Sequence, residues 1–135
     1  MTNQPVAAII LAAGRGTRMK SDLHKVLHPL AGRPMLLHLL ASVDALEPAA
    51  KVVVVGSQRE QVEAAIAGTG TAIAVQDPQH GTAHAVQQAE SALKGFDGDV
   101  LILYGDVPLV STATMAAMLG QLDDTTAVVV LGFRP

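Results

Sequence analysis

Short aliphatic runs alternate along the chain with segments whose apolar residues recur at helical spacing, and this alternation restricts the fold more than any other feature. Aliphatic and β-branched runs predict five buried strands, at 6–12, 51–56, 71–75, 100–104 and 126–131. The spacing of the apolar residues between them predicts helices over 34–46, 58–67 and 82–94 and a fourth after Ser111. This order predicts an α/β domain with a Rossmann-like, doubly wound and mainly parallel sheet.

Single residues at the predicted boundaries support this reading. Pro34 suits the first turn of a helix, where its missing N–H costs nothing. Ser57 and Ser111 can each cap the start of a helix with a side-chain oxygen. Gly68 and Gly95 are placed to end the second and third helices.

Composition narrows the class of protein further. The 135 residues suit one domain, and because 50% are apolar but only 2% are aromatic, the core must be aliphatic. Few aromatic residues and a net charge of -3 argue against a nucleic-acid partner. The absence of cysteine excludes disulfides and thiolate metal sites, and the first apolar run is too short for a membrane span. We therefore expect a cytoplasmic protein without a membrane partner.

The loop after the first strand has the composition of a phosphate site. It runs from Leu11 to Met19, and its glycines at 14 and 16 let backbone amides approach an anion closely. Arg18 and the later Lys25 can add formal positive charge. The loop lacks the third glycine of the dinucleotide fingerprint and the Gly-Lys-Ser/Thr end of a Walker loop. Taken alone, it is also compatible with a solvated strand-to-helix turn.

Two further polar loops, 76–82 and 104–110, follow the third and fourth predicted strands. Because parallel strands share one carboxyl edge, we expect both to converge with loop 13–25 in a single site. Asp106 could bind Mg²⁺, which prefers oxygen ligands, or be an ordinary turn aspartate. Gln76 could read a base with its amide or be a surface glutamine, and Gly81-Thr82 could simply start a helix.

The full run Leu-Ala-Ala-Gly-x-Gly-Thr-Arg-Met, with Lys25 seven residues after its arginine, resembles the signature loop of the sugar-phosphate nucleotidylyltransferases. Within them the chain is most similar to the bacterial N-acetylglucosamine-1-phosphate uridylyltransferases. The similarity continues in order through the segments that begin at Ser21, Gln76 and Leu103 and covers essentially the whole chain. It implies an enzyme that forms UDP-N-acetylglucosamine and pyrophosphate from UTP and N-acetylglucosamine 1-phosphate, with Mg²⁺ as cofactor.

The resemblance also implies roles for individual residues. Arg18 and Lys25 would be catalytic, and Asp106 would bind the metal. The nucleotide would be bound by residues from all three loops, namely Leu11, Ala12, Ala13, Gly14, Arg15, Gly16, Thr17, Gln76, Gly81, Thr82, Tyr104, Gly105 and Asp106.

Two readings compete with this one. A molybdopterin cytidylyl- or guanylyltransferase would share a loop of this type, although the runs at Gly81 and Tyr104 fit that class less well. A nucleotide-binding module without catalysis is the other alternative.

One residue of this chain departs from the motif of the family. His24 stands where the family usually has proline, and we expect it to be an exposed loop histidine.

In the family, a sugar-binding half and, in bifunctional members, an acetyltransferase domain follow residue 135. We therefore expect 1–135 to be the N-terminal nucleotide-binding portion, able to bind nucleotide but impaired in turnover. The resemblance implies a homotrimeric parent enzyme.

Overall fold

The computed structural model describes residues 4–14, 22–56 and 58–135. They form six strands and four α-helices in the order β1 (Val6–Ala12), β2 (Pro29–Leu30), β3 (Arg33–Pro34), α1 (Met35–Asp44), β4 (Ala50–Val55), α2 (Glu60–Ile66), β5 (Ala72–Val75), α3 (Thr82–Gln88), β6 (Asp99–Tyr104) and α4 (Thr112–Leu119). Strands β2 and β3 make a small antiparallel hairpin.

The central sheet has the order β5-β4-β1-β6, and all of its pairings are parallel. The chain moves outward from β1 to β4 and β5, and then crosses back to place β6 on the other side of β1. The strand order therefore reverses between β1 and β6, where Leu11 is paired with Tyr104. The prediction of a doubly wound parallel sheet is confirmed, and ligands of such sheets bind at this reversal, beyond the carboxyl ends of the strands.

The core lies mainly on one face of the sheet. Alternate β1 residues, including Ile10, pack there with fully buried residues of α1 and α2 and with Met115 of α4. The opposite face is thinner and is formed around Ile9, Val54 and α3. On that face the side chains of Val100, Ile102 and Tyr104 remain 42%, 45% and 51% exposed. Strand β6 is therefore buried on one side only, unlike the central strands.

Two predicted elements differ from the structure. The helix expected over 82–94 ends at Gln88, and a separate 3₁₀ turn, Ser91–Leu93, follows it before Gly95. The strand expected over 126–131 is wrong, because Thr126 forms only an isolated bridge to Asp123. A β-branched run becomes a strand only with a neighbouring ladder, and Val128 and Val130 are instead 75% and 83% exposed.

The other boundary signals are largely confirmed. The Ser111 hydroxyl accepts a hydrogen bond from the Thr114 N–H at 3.1 Å and caps α4. Gly68 has a φ of 78° just after α2, as predicted. Gly95 has a φ of 81° but follows the 3₁₀ turn Ser91–Leu93, so the prediction that it ends the third helix is wrong. The cap predicted at Ser57 lies outside the described residues. No described helix is long and apolar enough to cross a lipid bilayer.

Candidate functional site

A cavity of about 280 Å³ opens beyond the carboxyl ends of the sheet strands. Residues from all three predicted loops line it, namely Leu11, Ala12, Ala13, Gly14, Lys25, Val26, Gln76, Gln79, Gly81, Thr82, Ala85, Tyr104 and Asp106. The convergence expected from parallel strands is therefore confirmed. Gly105 lies between two of these residues, whereas Arg15, Gly16, Thr17 and Arg18 lie outside the described residues.

Lys25 and Asp106 meet at the mouth of this cavity. The Lys25 Nζ lies 2.8 Å from Asp106 Oδ2, and the two side chains are 38% and 36% exposed. Such a solvent-accessible ion pair contributes little to stability, about 0–1 kcal/mol. It does place a solvent-accessible ammonium group and a carboxylate side by side at the strand reversal, where either can interact with a charged ligand.

Gly105 allows the two sides of this pair to approach each other. Its N–H donates to the Leu11 carbonyl at 2.9 Å, which ties the end of β6 to β1. A Cβ on Gly105 would lie 2.9 Å from Val26 Cγ1, within the 3₁₀ turn Lys25–Leu27. Glycine at 105 therefore lets the turn that carries Lys25 pack directly against the segment that carries Asp106.

Gln76 lies at the other end of the cavity and is almost completely buried, with 3% exposure. Its backbone N–H continues the sheet by donating to the Val55 carbonyl at 2.8 Å. Its side-chain Nε2 donates to the Gly81 carbonyl at 2.9 Å and lies 3.0 Å from His84 Nδ1. The structure thus contradicts the alternative of a surface glutamine and shows an anchored amide beside the cavity.

Gly81 has a backbone conformation that requires glycine. Its φ and ψ are 94° and −179°, a region that residues with a Cβ rarely adopt. In this conformation its carbonyl accepts both the Gln76 amide and the Ala85 N–H of α3. Gly81 therefore joins the start of α3 to the end of β5 at the cavity wall.

The prediction that His24 is an exposed loop histidine is wrong. This residue is only 5% exposed. Its N–H donates to Gln61 Oε1 at 2.7 Å, and Gln61 Nε2 donates to the Asp22 carbonyl at 2.9 Å. Its φ of −55° is one that proline also adopts, although proline would lack the backbone N–H that donates to Gln61. Gln61 of α2 thus holds the segment before Lys25, a contact between positions 37 to 39 residues apart that no local pattern indicates.

We expect His24 to make the stability of the fold depend on pH. Burial lowers the pKa of His24 below its ordinary value, partly offset by a hydrogen bond to Ala12. As the pH falls through about 6.5, the unfolded chain therefore takes up the proton first, and the free energy of unfolding decreases until the folded-state pKa is passed. Urea denaturation at pH 7.5 and 5.5 should show a smaller loss of unfolding free energy at low pH in His24→Asn, which keeps the backbone N–H to Gln61, than in wild type.

The exposed His80 provides the matched control, since His80→Asn also replaces one histidine by asparagine. His80→Asn should keep the wild-type loss of stability at low pH. An unchanged loss of stability in His24→Asn would show that His24 does not carry the effect.

Gln79 is a second cavity residue that the sequence does not indicate. Its side-chain amide donates to the Ala13 carbonyl and links the loop after β5 to the loop after β1. Motif spacing could not reveal this contact, because the two residues are 66 positions apart. Gln79 therefore closes one side of the cavity.

Asp106 can supply one carboxylate to a cation whose other ligands come from a bound phosphate compound and water. Within the described ranges there is no group of three or more His, Cys, Asp or Glu side chains that could hold a metal. Mg²⁺ is usually bound through one or two carboxylates together with substrate phosphates and water. The Lys25 ammonium already stands in for a cation at Asp106, so the site suits Mg²⁺ carried by a phosphate ligand.

A larger groove of about 570 Å³ lies elsewhere, between β6 and residues 126–129. It begins near Gln4 and Gly98, at the amino end of β6, and is lined largely by aliphatic side chains. It lies away from the strand reversal and contains none of the predicted site residues. The smaller cavity is therefore the candidate site.

The structure is that of an α/β domain whose parallel sheet places a buried amide, a lysine and a carboxylate around its strand reversal, where nucleotides bind in such folds. Residues 8–134 match the family model described as the MobA-like NTP transferase domain, and the chain belongs to that family.

Among curated relatives, the chain is similar to proteins named "Bifunctional protein GlmU". It is 71% identical to the protein from Sphingopyxis alaskensis over 98% of this chain and 30% of that protein. It is 66% identical to the protein from Rhizorhabdus wittichii over 100% of this chain and 30% of that protein. The chain thus spans about 30% of the length of these relatives.

Solved structures agree on the fold. A nucleotidyl transferase from Methanothermobacter is 28% identical with a TM-score of 0.73, over 90% of this chain and 59% of that one. Rv0371c from Mycobacterium tuberculosis H37Rv is 26% identical with a TM-score of 0.74, over 89% of this chain and 61% of that one.

Proposed function

We propose that this chain is the nucleotide-binding part of an enzyme that transfers a uridylyl group from UTP to N-acetylglucosamine 1-phosphate. The observation that carries the proposal is the convergence of all three motif-bearing loops on one cavity. The similarity to the "Bifunctional protein GlmU" relatives and to the uridylyltransferase motifs supports this substrate pair.

The cavity offers different chemistry at its two ends. Gln76 and Gly81 follow β5, while Asp106 follows β6 and is paired with Lys25. Three strand spacings of about 4.8 Å separate β5 from β6 across the sheet. We assign the base to the amide end and the phosphates to the end with charged groups, with the amides of the loop that begins at Gly14 beside the β- and γ-phosphates.

In the proposed reaction, an oxygen of the sugar phosphate attacks the α-phosphorus of UTP. The new P–O bond forms as the bond to the β-phosphate oxygen breaks, and pyrophosphate leaves. The protein need not form a covalent bond, since positioning and charge stabilisation supply most of the rate enhancement in phosphoryl transfer.

The proposed roles follow from charge and position. Lys25 Nζ would turn from Asp106 to the α-phosphate and sugar phosphate and neutralise the charge that grows there. Asp106 would hold Mg²⁺, which supplies charge neutralisation on the phosphates when bound. Arg18, which lies outside the described residues, is assigned to the leaving pyrophosphate on the resemblance alone.

Titration calorimetry with UTP, CTP and GTP, with and without Mg²⁺, tests the proposal on the 135-residue chain. We expect UTP to bind at least about tenfold more tightly than CTP or GTP, a difference of about 1.4 kcal/mol, and Mg²⁺ to strengthen binding. Preference for CTP or GTP would instead favour a molybdopterin-type nucleotidyltransferase. A nucleotide affinity that does not change with Mg²⁺ would favour a nucleotide-binding module without catalysis.

A further inference from the structure

His84 and Gln76 form a hydrogen-bonded pair at the wall of the cavity, and the pair has a defined direction. Gln76 Nε2 lies 2.9 Å from the Gly81 carbonyl oxygen, and a carbonyl can only accept. The nitrogen of the Gln76 amide, and not its oxygen, must therefore face Gly81. The helix keeps this carbonyl in place, because it also accepts the Ala85 N–H at 3.1 Å.

The same nitrogen determines which form of His84 is present. One Nε2 hydrogen of Gln76 goes to Gly81, and the other faces His84 Nδ1 at 3.0 Å. We assign Nδ1 as the acceptor, because this second hydrogen belongs to an almost completely buried amide, and His84 then carries its own hydrogen on Nε2. Gln88 Nε2 lies 3.2 Å from His84 Nε2, but it already donates to the His84 carbonyl at 3.2 Å and is only half-buried, so it does not depend on the ring nitrogen as an acceptor. The His80 ring packs edge-on, with the two ring centroids 5.0 Å apart. The ring is thus surrounded on both sides.

This arrangement leaves Gln76 only an acceptor for a ligand. Both hydrogens of its amide are used by Gly81 and His84, so Oε1 is the remaining polar atom of a side chain that lines the cavity. The base edges differ at the corresponding atom. Uracil carries an N–H between two carbonyls, which can donate to Oε1, whereas cytosine has a bare ring nitrogen there, which would face Oε1 as a second acceptor.

We propose that His84 is a positioning residue that fixes the orientation of the Gln76 amide and thereby selects a base with an imide N–H over one with a bare ring nitrogen. The inference rests on the proposed uridine nucleotide site. His84 does not touch the ligand in this account and acts only through Gln76. Its role follows from the direction of two hydrogen bonds and not from the motif.

Three variants separate positioning from general packing. His84→Leu removes the acceptor at similar size, whereas His84→Asn puts a carbonyl oxygen near the place of Nδ1. His80→Leu, at the exposed neighbouring ring, is the matched control. The ratio of CTP to UTP dissociation constants, measured by calorimetry in excess Mg²⁺, is the readout, because loss of stability alone would weaken both nucleotides together.

We expect His84→Leu to reduce this ratio about tenfold, in line with the loss of one oriented hydrogen bond. His84→Asn and His80→Leu should stay within about threefold of wild type. An unchanged ratio in His84→Leu, or an equal loss in His84→Asn, would overturn the inference while leaving the proposed function intact.

The ligand-free protein gives an independent test. The ¹⁵N shifts of the His84 ring, measured at pH 7.5, should show the hydrogen on Nε2 and none on Nδ1. A hydrogen on Nδ1 would overturn the inference whether or not UTP binds. Failure of the wild-type chain to bind UTP, with the Nε2–H form present, would count against the proposed function and not against the Gln76–His84 pair.

Discussion

Replacing Lys25 with alanine is expected to weaken Mg²⁺–UTP binding about 10- to 100-fold, the usual loss for one charge-assisted hydrogen bond. Lys25 lies at the mouth of the cavity and is paired with Asp106 at 2.8 Å, so it can turn to a phosphate without crossing the protein. The fold should remain intact, because both partners are more than a third exposed and their pairing adds little stability. Calorimetry, with circular dichroism to check the fold, measures the loss.

A second ion pair supplies the matched control. Lys51 Nζ lies 2.6 Å from Asp44 Oδ1 at the amino edge of β4, opposite the edge where the cavity opens. Lys51→Ala also removes one positive charge and one ion pair, so it should leave nucleotide affinity within about threefold of wild type. Equal losses in Lys25→Ala and Lys51→Ala would mean that only the overall charge of the protein matters.

The second large effect concerns Asp106. We expect Mg²⁺ to strengthen UTP binding about tenfold in wild type and by less than about threefold in Asp106→Asn. Without Mg²⁺, the same substitution should leave UTP affinity unchanged or improve it. It removes a negative charge that repels the phosphates and releases the Lys25 ammonium.

Asp44→Asn is the corresponding control, since it breaks the Lys51 pair without touching the cavity. It should retain the full dependence on Mg²⁺. If Asp106→Asn responds to Mg²⁺ as strongly as wild type, the metal role assigned to Asp106 is wrong.

The sequence predicts the arrangement of the site better than its details. Once the strands are parallel, Lys25, Gln76 and Asp106 must share one edge of the sheet, and they do. Strand periodicity and boundary residues are local signals, which explains why β1 and the cap at Ser111 could be predicted from a single sequence.

The features that the sequence did not reveal depend on contacts between distant residues. The buried His24 is hydrogen-bonded to Gln61 of α2, and Gln79 reaches the Ala13 carbonyl at one side of the cavity. Residues 126–131 have strand propensity, but no neighbouring strand pairs with them among the described residues. In each case tertiary partners decide the outcome, and a single sequence does not contain that information.

Backbone amide shifts on adding Mg²⁺–UTP to the ¹⁵N-labelled chain test the central claim most directly. A uridine nucleotide site at the strand reversal predicts the largest changes at 11–14, 25–26, 76–82 and 104–106, the segments that surround the cavity. Changes confined to the groove between β6 and 126–129, or no changes at saturating nucleotide, would contradict it.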